Sequence, residues 1–352
     1  MNKNVLIIGN FGYVGTVLLE TINNIYKKNY ITYGLDTFWF QDLTDNKLFY
    51  KSLPDFFLKK DIRNFNLKDY NVKFDSIIFL AAISNDPMGK LYSKVTHEIN
   101  FNCCKKIAKQ AKDLGVKKFI FASSCSIYGD SGSNLKKEND SLNPLTDYAI
   151  SKVKSEEMLY KLSSKNFKVI CLRFATAAGF SNRLRLDLVF NDFVASATYK
   201  KKIELLSNGE SFRPLIHVKD MAEAIIWSID YKLVNNNFLA LNTGFESWNF
   251  KVIDLAKKIG KILSNCKVVI KDQNNVDKRS YNIDFNFFKK VSNFSKSKID
   301  FKKSVLELHT KLLENNLDLH NFRNSNKWIR LKNLEFLQNK KYLDKNLLWT
   351  YK

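Results

Sequence analysis

A tyrosine and a lysine four residues apart are the residues of this chain best suited to proton transfer. Tyr148 and Lys152 lie in the segment DYAISK, and on a helix such a pair shares one face. A lysine ammonium beside a phenol favours the phenolate, so we expect Lys152 to lower the pKa of Tyr148. Tyr148 would then act as an acid/base near neutral pH. Ser124, from FIFASSCSIYG, would hydrogen-bond the same substrate oxygen.

A glycine-rich turn near the N-terminus predicts a dinucleotide site. The segment KNVLIIG reads as a buried parallel strand, and it brings Gly9, Gly12 and Gly15 to the start of a helical pattern. This spacing permits a tight turn and lets backbone N–H groups approach a diphosphate. A second strand, YITYGLD, ends at Asp36, whose carboxylate would accept the adenosine ribose hydroxyls and repel a 2′-phosphate. The pattern predicts NAD rather than NADP.

Residues at the ends of the later strands extend the predicted cofactor site, because ligands bind at the carboxyl ends of such strands. Asp61 has a second interpretation, as the cap of a helix. The further cofactor-binding candidates are Tyr13, Val14, Asp61, Ile62, Leu80, Ala81, Ala82, Asn100 and Phe174, together with Tyr148 and Lys152.

The order of strand and helix patterns predicts the α/β class. Strands and helices alternate from residue 1 to about 180, which is typical of a Rossmann-type, doubly wound parallel sheet that would bind NAD. Residues 181–300 predict a smaller mixed α/β C-terminal lobe that binds substrate, and residues 301–352 a helical extension. Apolar residues recur at helical spacing in that extension, and we interpret them as a packing stripe: Trp328, Leu331, Leu334 and Leu337.

The composition favours a globular, cytoplasmic protein. Hydrophobic residues make up 45% of the 352, no apolar run reaches the length of a membrane span, and we see no signal-peptide pattern. Five cysteines without paired metal-ligand spacing predict reduced thiols and no metal. The net charge of +22 comes from scattered lysines. A dense basic block is missing, so we expect neither a nucleic-acid nor a membrane partner.

Taken together, these motifs resemble the extended short-chain dehydrogenase/reductase superfamily, and within it the NAD-dependent nucleotide-sugar epimerase/dehydratase family. The resemblance spans roughly residues 1–285. The segments that carry it are Gly9–Gly15, Asp36, Asp61–Arg63, Leu80–Ala82, Ser123–Gly129, Tyr148–Lys152, Leu172–Phe174, Arg213–Asp220, Leu241–Gly244 and Asp277–Tyr281.

The resemblance implies a role for each site residue. Tyr148 would be the acid/base, Lys152 would orient the NAD ribose, and Ser124 would hydrogen-bond the reacting sugar oxygen. Arg213 and Arg279 would hold the substrate diphosphate, since guanidinium groups grip phosphate oxygens bidentately. The other substrate-binding candidates are Ser84, Ser126, Thr176 and Asn191.

Two departures from the family pattern narrow the implied chemistry. In 4,6-dehydratases of the family, an Asp-Glu pair follows the hydroxyl residue, whereas Cys125 and Ser126 follow Ser124 here. We therefore rank dehydration below simple redox chemistry. Thr176 stands where many epimerases have a phosphate-binding asparagine. We interpret Cys125 as a packed thiol rather than a reactive one.

The function implied is an NAD-dependent nucleotide-sugar 4-epimerase that works through a 4-keto-sugar intermediate. An NAD(P)-dependent nucleotide-4-keto-sugar reductase or dehydrogenase is the alternative, and a 4,6-dehydratase ranks lower. The partner would be a nucleotide-diphosphate sugar. The family resemblance also implies a homodimer, formed through helices near residues 92–114 and 148–164.

Overall fold

The structure is a computed structural model and describes residues 2–40, 52–264, 266–275, 277, 279–314 and 321–350. In chain order the strands are β1 (Lys3–Ile8), β2 (Tyr30–Asp36), β3 (Phe56–Lys59), β4 (Ser76–Phe79), β5 (Lys118–Ser124), β6 (Asp130–Lys136), β7 (Lys168–Phe174), β8 (Thr176–Ala178), β9 (Lys202–Leu205), β10 (Phe212–His217), β11 (Phe238–Thr243), β12 (Asn249–Lys251), β13 (Lys267–Ile270) and β14 (Ser280–Ile283).

The α-helices are α1 (Tyr13–Thr21), α2 (Asp86–Leu91), α3 (Ser93–His97), α4 (Cys104–Asp113), α5 (Asp147–Leu162), α6 (Val189–Lys200), α7 (Val218–Asp230), α8 (Val252–Ile262), α9 (Asn286–Ser292), α10 (Phe301–Glu314) and α11 (Arg330–Asn339). Two π-helical segments, Ile22–Tyr26 and Glu98–Cys103, continue α1 and join α3 to α4.

Seven of the described strands form one parallel sheet in the order β3-β2-β1-β4-β5-β7-β11. Alternate residues of β1 enter two different cores. Leu6 and Ile8 pack on one face of the sheet, whereas Val5 and Ile7 pack on the other. Burial on both faces explains why the strand is apolar throughout. The predicted doubly wound parallel sheet is confirmed.

The last strand of this sheet comes from beyond the predicted boundary at residue 180. β11 pairs with β7 in parallel register, with Leu241 opposite Leu172, and α7 packs against α1. The sheet is therefore not confined to residues 1–180, because a strand and a helix return to it after the chain has entered the lobe. A strand pattern gives no information on which sheet the strand joins.

A third hydrophobic core and small sheets form the C-terminal lobe. β10 pairs with β8 and β12, β9 pairs with β13, and β6 pairs with β14. The core of the lobe lies among α6, α8 and α10, with Phe190, Trp248 and Phe301 in mutual ring contact. This agrees with the predicted smaller mixed lobe.

The C-terminal segment, residues 321–350, contributes to two cores. Trp328 packs in the core of the lobe, while Leu334 and Leu337 pack with the central sheet and Leu331 lies against the same core. The predicted packing stripe is confirmed for these residues. Parts of the predicted helical extension, residues 315–320 and 351–352, lie outside the described residues. In the part of the chain that is described, no helix is both long and apolar enough to span a membrane.

Candidate functional site

A cavity of about 820 Å³ opens at the carboxyl end of the central sheet, where ligands bind in this architecture. Its walls come from the glycine turn, the ends of β2, β4 and β5, the first turn of α5, the lobe and the C-terminal segment. Of the predicted site residues, it brings together Gly9, Gly12, Tyr13, Val14, Gly15, Asp36, Asp61, Ile62, Leu80, Ala81, Ala82, Ser84, Ser124, Ser126, Tyr148, Lys152, Phe174, Thr176, Arg213 and Arg279.

The glycine turn has the close backbone approaches that a bound diphosphate requires. Gly9 has a φ of +87°, and a Cβ there would lie 2.7 Å from the backbone nitrogen of Ala81. A Cβ on Gly15 would lie 2.5 Å from the carbonyl oxygen of Asn10. Larger residues would push the turn away from α1 and β4. The turn therefore leaves room for a dinucleotide at the start of α1.

Asp36 ends β2 beside this turn and fits the adenosine ribose. Its carboxylate accepts hydrogen bonds from the backbone N–H groups of Phe11 (3.0 Å) and Phe38 (2.9 Å). Burial raises the pKa of Asp36, and these two hydrogen bonds act against the rise. Because the carboxylate is fixed by backbone groups of both flanking loops, its remaining lone pairs are available to ribose hydroxyls. The residues present therefore fit NAD.

Asp61 is committed to a structural contact within its own loop. The carboxylate accepts from the backbone N–H, Nε and Nη2 of Arg63 and caps a short 3₁₀ helix, Ile62–Asn64. The capping interpretation of Asp61 is thus confirmed. The cofactor-binding role of Asp61 stays a prediction, resting on its place in the cavity wall beside Ile62.

The three catalytic candidates meet between β5 and α5. Ser124 is the last residue of β5, and Tyr148 lies in the first turn of α5. The Ser124 side chain is close enough to the Tyr148 hydroxyl to act on its pKa. Lys152 lies one turn further along the helix. Its Nζ donates to the carbonyl oxygen of Ala122 (2.6 Å) and lies 5.5 Å from the centre of the Tyr148 ring. The arrangement can hold a hydroxyl oxygen of a substrate and exchange its proton.

A threonine cap, rather than the nearby Pro144, marks the start of α5. The helix begins at Asp147, and the side chain of Thr146 caps it by accepting from the backbone N–H of Ala149 (3.2 Å). Threonine satisfies an amide at the helix start, which a proline side chain cannot do. The cap fixes the direction in which Tyr148 enters the cavity.

The expected lowering of the tyrosine pKa is not what the structure gives. Burial raises the pKa of Tyr148, and the Ser124 side chain opposes this rise. Lys152 is itself buried, which lowers its pKa to about 8. Desolvation is the largest cause of both pKa shifts. In the protein without ligand, therefore, Tyr148 is a neutral phenol, and the Lys152 ammonium beside it loses its proton more easily than a free lysine does.

Two predicted ligands, Asn100 and Asn191, point into the protein instead of the cavity. The Asn100 amide accepts from the N–H of Ile83 and donates to its carbonyl oxygen. The Asn191 amide accepts from the N–H of Gly179 (2.9 Å) and donates to the carbonyl oxygen of Arg185 (2.9 Å). Both side chains are buried. In this structure the two amides position the chain around the site, and direct binding of cofactor or substrate by Asn100 and Asn191 stays a prediction.

The predicted diphosphate arginines form one ion-paired group. Arg213 and Arg279 both pair with Asp277 (2.7 and 2.8 Å), and Arg279 also pairs with Asp86 (2.5 Å). The Arg213 side chain is 10% exposed and that of Arg279 is 43% exposed. The group therefore presents a fixed buried guanidinium and a more accessible one to the same cavity.

The smaller polar candidates stand nearer the catalytic residues. The Oγ of Ser126 is buried without a hydrogen-bond partner among the described residues, and its backbone N–H donates to the Oγ of Ser124 (3.2 Å). The side chain of Thr176 acts to lower the pKa of Tyr281, and the Oγ of Ser84 accepts a hydrogen bond from Arg185 (2.9 Å). Each of the three lines the cavity.

Sequence reasoning missed a set of charged residues that come from the loop before α6 and from the C-terminal segment. Arg185 pairs with Asp187 (2.8 Å), whose carboxylate also accepts from the side-chain amide of Asn85 (2.7 Å). Arg183 and Arg330 line the same cavity. The alternation of charged and apolar residues in RLRLD was the available signal for Arg183, Arg185 and Asp187, which lie in the loop before α6 begins at Val189.

The comparisons with known proteins agree with this geometry. Residues 5–240 match the model of the NAD dependent epimerase/dehydratase family. An N-acetyl-alpha-D-glucosaminyl-diphospho-ditrans,octacis-undecaprenol 4-epimerase of Escherichia coli O157:H7 is 27% identical over 255 residues, covering 71% of this chain and 67% of the relative. A UDP-glucose 4-epimerase of Vibrio cholerae is 25% identical over 270 residues, covering 70% and 72%.

A solved structure shares the fold at lower identity. The UDP-N-acetylglucosamine 4-epimerase from Methanobrevibacter ruminantium M1, in complex with UDP-N-acetylmuramic acid, superposes with a TM-score of 0.77 at 20% identity. The match covers 89% of this chain and 99% of that one. The parallel sheet, the glycine turn, the serine, tyrosine and lysine at the cavity and the match over residues 5–240 lead to one conclusion: the chain belongs to the NAD-dependent epimerase/dehydratase family of enzymes.

Proposed function

We propose that this enzyme is a nucleotide-sugar 4-epimerase with NAD as a resident cofactor. The observation that carries the proposal is the joining of Ser124, Tyr148 and Lys152 in one cavity without an acidic residue after Ser124. This set can move a proton to and from a sugar hydroxyl. It offers no adjacent carboxyl group that would expel a second hydroxyl.

The chain's own residues handle the proton and the position of the sugar. Ser124 and Tyr148 hydrogen-bond the 4-hydroxyl. Tyr148 first loses its phenolic proton to solvent, and the phenolate then takes the hydroxyl proton as the C4–H bond breaks. NAD, when bound, supplies the acceptor for the hydride that leaves C4 and later returns to the opposite face. Tyr148 then gives the proton back to the oxygen of the 4-keto sugar. Lys152 holds the ribose and supports the phenolate during the step.

The carboxylates around the cavity support epimerisation over dehydration. Asp86 pairs with Arg279 and accepts from Thr146, while Asp187 pairs with Arg185. Asp277 pairs with both Arg213 and Arg279. The guanidinium neighbours of Asp187 and Asp277 outweigh burial and lower the pKa of both carboxyl groups, which makes these two residues poor proton donors.

The substrate we propose is a nucleoside diphosphate linked to a sugar. Arg213 and Arg279 would exchange part of their contact with Asp277 for the diphosphate oxygens, for which guanidinium geometry is well suited. The related 4-epimerases named above act on diphosphate-linked sugars according to their names. Ser84, Ser126 and Thr176 are the remaining proposed contacts to the sugar and the phosphates.

A panel of nucleotide sugars, incubated with the purified protein with and without added NAD or NADH and followed by NMR, tests the proposal. A C4 epimer formed without net use of added cofactor is the expected result. A product formed only with stoichiometric NADH or NADPH would establish the reductase instead. A 4-keto-6-deoxy product would establish the dehydratase.

We also propose a cytoplasmic homodimer. The helices near residues 92–114 and 148–164 pack together, and α5 presents the apolar Ile150 and Tyr160, which are 37% and 64% exposed. The five cysteines are unpaired and buried, which suits a reducing compartment. Light scattering of the eluting protein would show a mass of twice 41.0 kDa, and replacing Ile150 and Tyr160 with Glu would halve it. A monomeric wild-type protein would contradict the proposal.

A further inference from the structure

The C-terminal segment closes the end of the cavity next to Asp36. Trp349 donates its indole N–H to the carbonyl oxygen of Thr37 (2.7 Å), and Asn333 donates its amide to that of Trp39 (2.8 Å). These contacts join the segment to the loop that directly follows Asp36. The family match ends at residue 240, so this wall of the cofactor site is built by a part of the chain that lies beyond the match.

Arg330, the first residue of α11, brings an unusual charge to this wall. The residue is 3% exposed, and its guanidinium lies over the Phe40 ring, 4.1 Å from the centre. Its Nη2 donates to the carbonyl oxygen of Arg183 (3.0 Å). Its Nη1 is buried and has no hydrogen-bond partner, and no carboxylate forms an ion pair with it among the described residues.

Four other arginines of the cavity wall have the ion pair that Arg330 lacks in the described part of the chain. Arg185, Arg213, Arg279 and Arg323 each form an ion pair with an aspartate. Leaving a buried guanidinium donor unmatched costs free energy. Burial and the nearby Arg185 lower the pKa of Arg330 to about 9, so the group still carries its charge at neutral pH. An anion in the cavity would remove this cost.

The surroundings of Arg330 indicate which anion it would bind. The residue stacks on Phe40, four residues after Asp36, and the Asp36 carboxylate is among the charges that act on it. Arg213 and Arg279 are instead held together by Asp277, and Arg279 also pairs with Asp86. We propose that Arg330, which lines the same cavity as the glycine turn, is a ligand for a phosphate of the bound dinucleotide, supplied by the C-terminal segment.

Binding measurements on the full chain test this assignment without any turnover. Equilibrium dialysis against radiolabelled NAD gives the NAD affinity, and displacement of the label by ADP or by adenosine gives the affinity of each fragment. We expect Arg330→Met to weaken NAD and ADP by about 10- to 100-fold, the range for a hydrogen bond to a charged group. Adenosine, which carries no phosphate, should bind within about twofold of its affinity for the unmodified protein.

Two further variants keep the test decisive. Lys332→Met removes a charge from the same helix at an exposed ion pair with Glu335 and should leave the NAD affinity unchanged. Arg330→Lys keeps the charge but loses the planar fork, and it should bind NAD with intermediate affinity. If Arg330→Met does not fold, Arg330→Lys and Lys332→Met still give the comparison.

Three results would overturn the assignment. The first is an NAD affinity of Arg330→Met within about twofold of the unmodified protein. The second is an equal loss for adenosine and ADP, which would mean that Arg330 only supports the shape of the adenosine pocket. The third is loss of UDP binding with NAD binding intact, which would place the phosphate on the substrate.

Discussion

The cavity has two walls that are built in different ways. The catalytic wall, Ser124, Tyr148 and Lys152, comes from the end of one strand and one face of one helix. The arginine wall comes from four separate parts of the chain and contacts its neighbours mainly through ion pairs and backbone carbonyls. It consists of Arg183, Arg185, Arg213, Arg279 and Arg330. The first wall contains the proposed chemistry and the second the proposed recognition of phosphate.

The two walls also differ in electrostatics. Burial weakens the charged forms on the catalytic wall, since it raises the pKa of Tyr148 and lowers that of Lys152. On the arginine wall, Asp187 and Asp277 keep lowered pKa values because guanidinium groups surround them. The protonation states of Tyr148 and Lys152 therefore depend on what is bound beside them, because burial disfavours their charged forms. The arginine wall keeps its positive charge, and ion pairs fix the positions of Arg185, Arg213 and Arg279.

The largest expected effect is the loss of turnover when Tyr148 of the catalytic wall is replaced, without a loss of NAD binding. Tyr148→Phe removes the proton carrier and should lower the rate by about 10³-fold, while NAD retained per chain stays unchanged. Rate measurement by NMR and cofactor release on denaturation check both parts. Substantial remaining turnover would mean that another group moves the proton.

Replacing Lys152 should lower the activity and raise the stability of the protein. Its folded pKa of about 8 lies below the unfolded value of 10.5, so the folded state binds fewer protons between these pH values and its stability rises with pH. At pH 7, Lys152→Met should raise the free energy of unfolding by about 2–3 kcal/mol, and this gain should shrink from pH 8 towards pH 10.

Urea unfolding of both proteins across this pH range measures the difference in stability. Activity of the unmodified enzyme should decline as the pH rises through about 8, because the ammonium that supports the phenolate is lost. A pH-independent difference in stability would show that the charge of Lys152 is not the cause.

On the arginine wall, a change should affect substrate affinity more than the rate of the chemical step. Arg213→Met should raise KM by about 10- to 100-fold, and Arg279→Met by less, because the exposed guanidinium is partly screened by water. Steady-state kinetics on the substrate found in the panel separates KM from kcat. A fall in kcat with unchanged KM in both variants would mean that these arginines act in the chemical step and not in substrate binding.

Asn191 should behave as a support of the arginine wall. Asn191→Ala leaves the N–H of Gly179 and the carbonyl oxygen of Arg185 without their partner, which should lower the free energy of unfolding by about 1–3 kcal/mol. Chemical denaturation measures this loss. A tenfold rise in KM without loss of stability would instead support the prediction that Asn191 binds substrate.

The smallest effect is expected at Cys125. The thiol is buried, donates to the carbonyl oxygen of Arg173 (3.0 Å) and has a raised pKa because of burial. Cys125→Ala should cost about 1 kcal/mol of stability and keep activity within about twofold. More than a tenfold loss of turnover in a folded variant would identify a reactive thiol.

The contrast between the walls explains what the sequence could predict. Gly9, Gly15 and Asp36 belong to a local strand–turn–helix pattern, and Ser124 and Tyr148 to a strand end and a helix face, so neighbouring residues determine their geometry. Sequence patterns also predicted most strands of the central sheet.

Residues whose role depends on distant partners could not be predicted. Asn191 has the chemistry of a ligand, yet its amide is used by Gly179 and Arg185. Arg330 reaches the cavity only because the C-terminal segment folds back onto Thr37 and Trp39. The pKa of Tyr148 depends on burial by the whole fold. Such properties follow from tertiary packing, which local spacing does not contain.

Transfer of deuterium from the sugar C4 position is the most direct test of the central claim. A nucleotide sugar that the panel identifies as a substrate is labelled at C4 and incubated with the enzyme and no added NAD. Our account predicts an inverted C4 centre that keeps its deuterium, since the hydride leaves and returns within one closed cavity. Label lost to solvent, or no inversion without added NADH, would contradict it.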